Sequence, residues 1–382
     1  MAHPMTSRER MRAVLTGQKP DRVPFFPCIY LDHASHCVGH TFEEALADPR
    51  QGLRWMLEAN RLYRSDVVRV LLTPPRDWFR DKEVRREGGR LLQVDRRSGR
   101  VDGEFDVQGG GALVPAQPPS PVRTPEQADA ISFPSAEELL EMGCLDAARE
   151  VAGRAHEEGF FVVGMAGGQT LNFLCRQVGD SQEALLMMSD QPDLTRKVLD
   201  KGTDASIEVG KAFARIGVDC LYIGDSWASG SVISPRMYAE FCTPCYRRAA
   251  DAARANGLLV YKHCCGNYNP LLEAVQEDHL DGIEGMDPTS GMSVARTREV
   301  IGDALCLIGG VSCLTLLRST PEQVRREAEA CIRDGGPRYV LGTACAVPRF
   351  TPVENMCALA SARRAAHHAV QPPSTARLWP VT

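Results

Sequence analysis

The run His263-Cys264-Cys265-Gly266-Asn267 sets an imidazole and a thiol two residues apart. In an extended segment side chains alternate between faces, so His263 and Cys265 point into one site and Cys264 points away from it. Neutral imidazole and thiolate are both zinc ligands. Cys345, far downstream, is the candidate third ligand, and one histidine with two cysteines leaves a position of a tetrahedral zinc open. Glu284 is a candidate to fill that position until a substrate displaces it. An open centre of this composition binds a thiol, lowers its pKa and holds the thiolate as a nucleophile. The chemistry it points to is alkyl transfer to or from sulfur.

Residues so far apart need a frame that brings them together. Short apolar runs lie near Val23–Cys28, Asp66–Leu72, Phe160–Met165, Cys220–Gly224, Leu258–Lys262, Gly282–Glu284, Leu305–Gly309 and Tyr339–Gly342. Amphipathic stretches follow most of them: Glu43–Arg61, Ser181–Ile216 with a break around Pro192, Pro235–Asn256, Pro270–Asp278, Val294–Ile301, Pro321–Asp334 and Pro352–His368. Eight strands with interleaved helices predict an α/β fold, a closed (β/α)8 barrel whose active site lies at the C-terminal ends of the strands. The predicted division is an N-terminal helical extension over 1–22, one barrel over 23–368 and a tail over 369–382. Thr6 or Ser7 caps the first helix through Leu15, with Gly17 and Pro20 ending it. Around 83–107 the chain is charged, β-biased and punctuated by Gly88-Gly89 and Ser98-Gly99, which predicts a β-hairpin insertion. Gly109-Gly110-Gly111 and Pro115–Pro125 read as a connector.

On that frame His263 and Cys265 follow the fifth strand, Glu284 ends the sixth and Cys345 follows the eighth. Tyr30 after the first strand, Asp225 after the fourth and Asn267 after the fifth are placed to line a substrate pocket. Cys242-Thr243-Pro244-Cys245 has the spacing of a redox pair but falls inside a helical stretch, and reads as structural. His33, His36 and His40 read as a polar loop, and Gly164-Met165-Ala166-Gly167-Gly168 as a tight strand-to-helix turn.

Composition narrows the classes. The 382 residues are 43% apolar and 24% charged, enough for a large core. Lys plus Arg total 44 against 49 for Asp plus Glu, a net charge of -5, so no basic field exists to hold nucleic acid. No apolar run approaches the roughly 18 residues needed to span a bilayer, and the charged Met1–Arg12 segment lacks the apolar core of an export signal. A cytoplasmic protein without a membrane partner is expected. Its 14 cysteines then read as reduced thiols and metal ligands rather than a disulfide framework. Self-association as a homodimer is left open.

The chain resembles the uroporphyrinogen decarboxylase superfamily, in particular its zinc- and cobamide-dependent methyltransferase branch. The resemblance rests on Ser7-Arg8-Glu9-Arg10, Pro20-Asp21-Arg22-Val23-Pro24, Ile223-Gly224-Asp225, Ile233-Ser234-Pro235, the His263–Asn267 run, Gly342-Thr343-Ala344-Cys345 and Thr351-Pro352-Val353-Glu354-Asn355. It implies a (β/α)8 fold and zinc on His263, Cys265 and Cys345. Cobalamin-independent methionine synthase is similar in using a further Glu, which implies the same for Glu284. The implied activity moves a methyl group between a corrinoid, methylcobalamin or a separate corrinoid protein serving as co-substrate, and a small-molecule donor or acceptor. A thiol is the expected acceptor; methyl ethers or amines are the alternative donors. The decarboxylases proper are similar to each other in an Arg-containing motif after the first strand, where this chain has Pro27-Cys28-Ile29-Tyr30-Leu31-Asp32. A substrate with eight carboxylates needs several convergent cations. A cofactor-free decarboxylase and a non-catalytic metal carrier therefore stand behind the methyltransferase.

Overall fold

The structure, a computed structural model, describes residues 4–108, 110–117, 119–167 and 170–369. Gly168 of the glycine-rich turn and residues 370–382 of the expected tail lie outside them. In chain order the strands are β1 (Phe25–Phe26), β2 (Val67–Val70), β3 (Lys82–Glu87), β4 (Arg90–Asp95), β5 (Val101–Asp106), β6 (Ala112–Pro115), β7 (Phe161–Met165), β8 (Cys220–Gly224), β9 (Leu259–His263), β10 (Gly282–Gly285), β11 (Cys306–Val311) and β12 (Tyr339–Thr343). Eight of them form one parallel sheet in the order β1-β12-β11-β10-β9-β8-β7-β2. The seam between its two edge strands is bridged at Asp66. Its N–H donates to the Phe25 carbonyl at 2.8 Å, and its carboxylate accepts the Phe25 N–H at 2.8 Å. The result is the eight-stranded α/β barrel that the spacing of the apolar runs predicts.

These strands are legible as unbroken apolar runs because both of their faces are buried. One face supports the outer helices. The other fills the barrel with Phe26, Val67, Phe161, Val163, Cys220, Tyr222, Tyr261, Cys306, Ile308 and Val340. The helix Ser7–Leu15, capped by a reciprocal Thr6–Glu9 box, closes the end of the barrel opposite the strand C-termini with Met11, Val14 and Leu15. Each of these side chains is at most 1% exposed, and such burial contributes roughly 1.5–3 kcal/mol apiece.

Asp66 also anchors that helix. Its buried carboxylate accepts from Ser7 Oγ at 2.5 Å, Arg10 Nη1 at 2.8 Å and Arg22 Nη2 at 2.7 Å, with Arg363 Nη1 at 3.4 Å.

The insertion is larger than the expected hairpins. β3, β4, β5 and β6 make a four-stranded antiparallel sheet, and Ala112–Pro115, which lies between the two segments read from sequence as connector and overlaps the second at Pro115, pairs with Val101–Asp106 as its edge strand. The expected helix over Glu43–Arg61 is two helices, Phe42–Ala47 and Pro49–Tyr63, because Asp48 caps the second and Pro49 cannot continue the first. The stretch from Pro235 is interrupted by a π-helical turn at Tyr238–Cys242. No helix among the described residues is long and apolar enough to cross a membrane.

Candidate metal centre

His263 is the last residue of β9, and strand alternation decides what its neighbours do. Lys262 points outward, where it is buried over the rings of Tyr238 and Tyr246 at 4.4 and 4.3 Å. His263 points into the barrel mouth. Cys264 is buried in the outer core with its thiol towards the Ala228 carbonyl at 3.7 Å, and Cys265 returns to the mouth. Cys345 reaches the same point across the mouth from the loop after β12, three strands from β9 in the ladder. Gly285, which follows Glu284, lies at φ +134°, and a Cβ there would sit 2.9 Å from the Cys264 carbonyl oxygen. That close approach lets the loop after β9 fold over β10.

His263 Nε2 lies 3.0 Å from Cys265 Sγ and 3.6 Å from Cys345 Sγ, and the two sulfurs are 3.5 Å apart. Among the described residues this is the one group of three metal-ligating side chains whose donor atoms all fall within 4.8 Å of one another. Zinc with bonds of about 2.3 Å to sulfur and 2.0 Å to nitrogen needs tetrahedral edges of about 3.5–3.8 Å. The two edges to Cys345, 3.5 and 3.6 Å, match that range, and the His263–Cys265 edge of 3.0 Å opens to it with a movement of about half an ångström, so the donor set fits a zinc ion in type and spacing. Ser226 Oγ donates to Cys265 Sγ at 3.5 Å from the loop after β8.

The three side chains set one another's protonation. Hydrogen bonding from Cys345 and then from His263 outweighs burial and holds the Cys265 thiol well below its ordinary pKa. Cys345 is driven well above its own by sharing that hydrogen bond and by burial. Burial alone would lower His263, but Cys265 and Glu284 beside it raise it to about 9. A metal entering the site displaces these protons, so its affinity falls in acid.

Glu284 stands next to His263 in the β9–β10 ladder. Its carboxylate lies on the far side of the imidazole from the two sulfurs, with Oε2 3.1 Å from His263 Nδ1, an ion-pair contact in which neither atom completes a well-angled hydrogen bond. Its other oxygen is bound by Arg69 Nη2. The residue expected as a fourth ligand is thus placed behind a ligand, against its second ring nitrogen. Contact between Nδ1 and a carboxylate is the usual way of directing Nε2 to a metal.

The three expected pocket residues are placed differently from one another. Tyr30 borders the barrel interior, with its ring 5.5 Å from the Arg69 guanidinium carbon. Asp225 is buried and engaged. It accepts from Thr170 N at 2.9 Å and Asn172 N at 3.1 Å, and the Thr170 hydroxyl also donates to it, so the carboxylate holds the start of the helix Leu171–Val178. Asn267 Oδ1 accepts from Asn269 N at 3.0 Å and braces the turn after β9. Arg69 is the residue that sequence reasoning missed. Its signal was a lone charge inside the run Val67-Val68-Arg69-Val70, at an inward position.

Other motifs are structural. Cys242 and Cys245 are buried in the helix layer. His33 is buried between the Tyr63 hydroxyl at 3.1 Å and the Arg349 carbonyl at 3.2 Å. Two recesses of about 530 and 460 Å³ lie on the insertion sheet and beside β11, and neither is lined by His263, Cys265 or Cys345.

Residues 107–366 match the family model described as uroporphyrinogen decarboxylase (URO-D). The chain belongs to the uroporphyrinogen decarboxylase family. Within that family it is 32% identical over 166 residues to a methylated-thiol–coenzyme M methyltransferase of Methanosarcina mazei, covering 43% of each chain. It is 30% identical over 172 residues to the methylcobamide:CoM methyltransferase MtaA of Methanosarcina barkeri, covering 45% of this chain and 49% of that one. A uroporphyrinogen decarboxylase of Coxiella burnetii is 27% identical over 255 residues, 64% of this chain and 68% of the relative. The matched segment spans about half the length of the two methyltransferases. A solved methyltransferase from Methanosarcina mazei superposes with a TM-score of 0.73 over 95% of this chain and 100% of that one, at 23% identity, and so shares the fold. A B12-independent methionine synthase from Shewanella sp. W3-18-1 shares it more distantly, with a TM-score of 0.51 at 12% identity, covering 92% of this chain and 95% of that one.

Proposed function

We propose that this chain is a zinc-dependent methyltransferase that moves a methyl group between a corrinoid and a small thiol. One observation carries the reading. A nitrogen and a sulfur from one strand end and a second sulfur from 80 residues downstream converge within 4.8 Å at the C-terminal mouth of the barrel, leaving a tetrahedral ion one position for substrate. The activities named for the two Methanosarcina relatives, methyl transfer to coenzyme M from methylated thiols or methylcobamide, support the same reading.

His263, Cys265 and Cys345 would hold the zinc, and a zinc ion there would lower the pKa of a substrate thiol so that it reacts as thiolate at neutral pH. Glu284 fixes the His263 ring from behind. Tyr30 lines the interior wall, while Asp225 and Asn267 brace the loops that carry the mouth. In the transfer the thiolate sulfur forms a bond to the methyl carbon, the carbon–cobalt bond breaks, and its electron pair stays on cobalt. The thiol proton leaves to solvent when the thiolate forms. The corrinoid is supplied from solution or by a separate protein.

The decarboxylase alternative needs cations free to pair with substrate carboxylates, and Arg69, inside the barrel, is already paired with Glu284. The test is a spectroscopic titration of methylcobalamin with the zinc-loaded protein and a panel of small thiols. Thiol-dependent demethylation of the cobalamin supports the proposal. A zinc-loaded protein inert with every thiol but active with methyl ethers or amines reverses the direction of transfer, and a protein that takes up no zinc overturns the reading.

A further inference from the structure

Arg69 is an arginine 1% exposed, set among the aromatic and aliphatic side chains that fill the barrel. Its guanidinium carbon lies 4.4 Å from the Phe26 ring centre, 5.5 Å from Tyr30 and 5.6 Å from Tyr222. The Cys28 thiol also faces the guanidinium, whose contacts to oxygen lead towards β9 and β10. Nε and Nη2 donate to the Tyr261 hydroxyl at 3.3 and 3.1 Å, Nη2 also donates to Glu284 Oε1, and Nη1 meets no acceptor. Glu284 Oε2 then lies 3.1 Å from His263 Nδ1.

Stability does not explain this arrangement. A buried ion pair is often replaceable by apolar side chains of similar volume without loss, and Val163, Ile308 and Val340 show that such residues suit this barrel. What the pair does that apolar residues cannot is present a carboxylate to an imidazole. With one oxygen bound by Arg69, itself held by Tyr261 and three rings, Glu284 is fixed with its other oxygen against His263 Nδ1.

We infer that Arg69 is a positioning residue for the metal centre: through Glu284 it fixes the His263 ring with Nδ1 towards the carboxylate and Nε2 towards the two cysteines. The inference rests on the metal reading proposed above and adds a residue to it from the opposite side of the barrel. Arg69 touches neither metal nor substrate. Its contribution is to metal affinity, and groups that orient a metal-bound histidine typically contribute on the order of 10–100-fold to it.

The test is cobalt(II) affinity, read from the thiolate-to-cobalt charge-transfer absorption by competition with a chelator. It is measured on the full chain for wild type, R69M, E284Q and the double variant. The double variant leaves no lone buried charge and retains a folded sample if R69M alone does not. R69M and E284Q are each expected to weaken cobalt binding by on the order of 10–100-fold, and the double variant to be no weaker than the poorer single variant, because the two residues act in series. R69K, a point charge that cannot serve Tyr261 and Glu284 together, is expected to fall between wild type and R69M. Wild-type affinity in R69M, or losses that multiply in the double variant, overturn the inference and leave the metal reading intact. A wild-type protein with no charge-transfer band overturns the metal reading and the inference with it.

Discussion

His263 and Glu284 stand side by side in neighbouring strands, and the imidazole between them is held from both ends, with a carboxylate oxygen 3.1 Å from Nδ1 and the Cys265 sulfur 3.0 Å from Nε2. The barrel's parallel register produces this pairing: His263 lies opposite Glu284 on one side and Gly224 on the other, and past Gly224 the Tyr222 ring of β8 stacks on the imidazole with ring centres 6.1 Å apart. The placement of His263 therefore follows from strand pairing, while Cys265 and Cys345 come to it from the loops after β9 and β12.

The donor set predicts its own mutational signature. Wild-type protein purified with zinc is expected to hold roughly one ion per chain, and C265S, C345S and H263A each to lose it. Cys265 is exposed and Cys345 half-buried, so the two serine variants should keep thermal midpoints close to that of the metal-free wild type. Elemental analysis checks this, and full zinc in C345S would remove that residue from the site.

Gly285 offers a test that touches no ligand. At φ +134° with a Cys264 carbonyl oxygen 2.9 Å from any added Cβ, G285A forces strain into the backbone directly after Glu284. The expected cost is roughly 1–3 kcal/mol in a urea titration, together with weaker zinc binding as Glu284 moves off the imidazole. An unchanged midpoint and affinity would mean that the β10 loop is not tied to the centre as described.

Sequence reasoning reached the barrel because its strands are buried on both faces and stand out as apolar runs, and it reached His263, Cys265 and Cys345 because alternation and strand ends alone place them. It missed Arg69, since a charge in an apolar run points to a partner without saying which strand supplies it. It put Glu284 near the centre as a tentative fourth ligand, and the β9–β10 register sets its carboxylate against His263 Nδ1. Asp225 was recognisable as following a strand, yet its use in holding Thr170 and Asn172 depends on contacts across the preceding βα loop. The edge strand Ala112–Pro115 was hidden by the glycine run before it and the prolines after it.

Acid should unfasten the base of the barrel. Burial alone would raise the Asp66 pKa, but Arg22, Ser7 and Arg10 outweigh it and hold it below the ordinary value of 3.8. A carboxylate with a depressed folded-state pKa contributes stability that is fully present above its unfolded pKa and lost as pH falls through the folded one. Thermal midpoints should therefore drop as pH is lowered below about 4, the ordinary carboxylate range. D66N, which leaves Arg10 and Arg363 facing a neutral partner, should cost roughly 3–5 kcal/mol at neutral pH and flatten that acid dependence. A variant as stable as wild type at neutral pH would contradict the role given to Asp66.

Metal removal should leave the fold in place. The barrel's apolar filling does not involve the centre, so a chelator-stripped chain is expected to retain its circular dichroism and unfold cooperatively, with zinc re-addition raising its stability by roughly 2.7 kcal/mol at one hundred times the dissociation constant. Calorimetry with and without zinc measures this, and loss of secondary structure on stripping would make the metal a folding element instead.

The most direct test of the central claim is zinc K-edge X-ray absorption on the loaded protein before and after addition of the thiol that demethylates methylcobalamin. The predicted first shell contains one nitrogen and two sulfurs plus a light atom, and gains a third sulfur at about 2.3 Å when the thiol binds. A shell that already lacks two sulfurs, or one that does not change with thiol while demethylation proceeds, would contradict a zinc centre that holds the substrate through its sulfur.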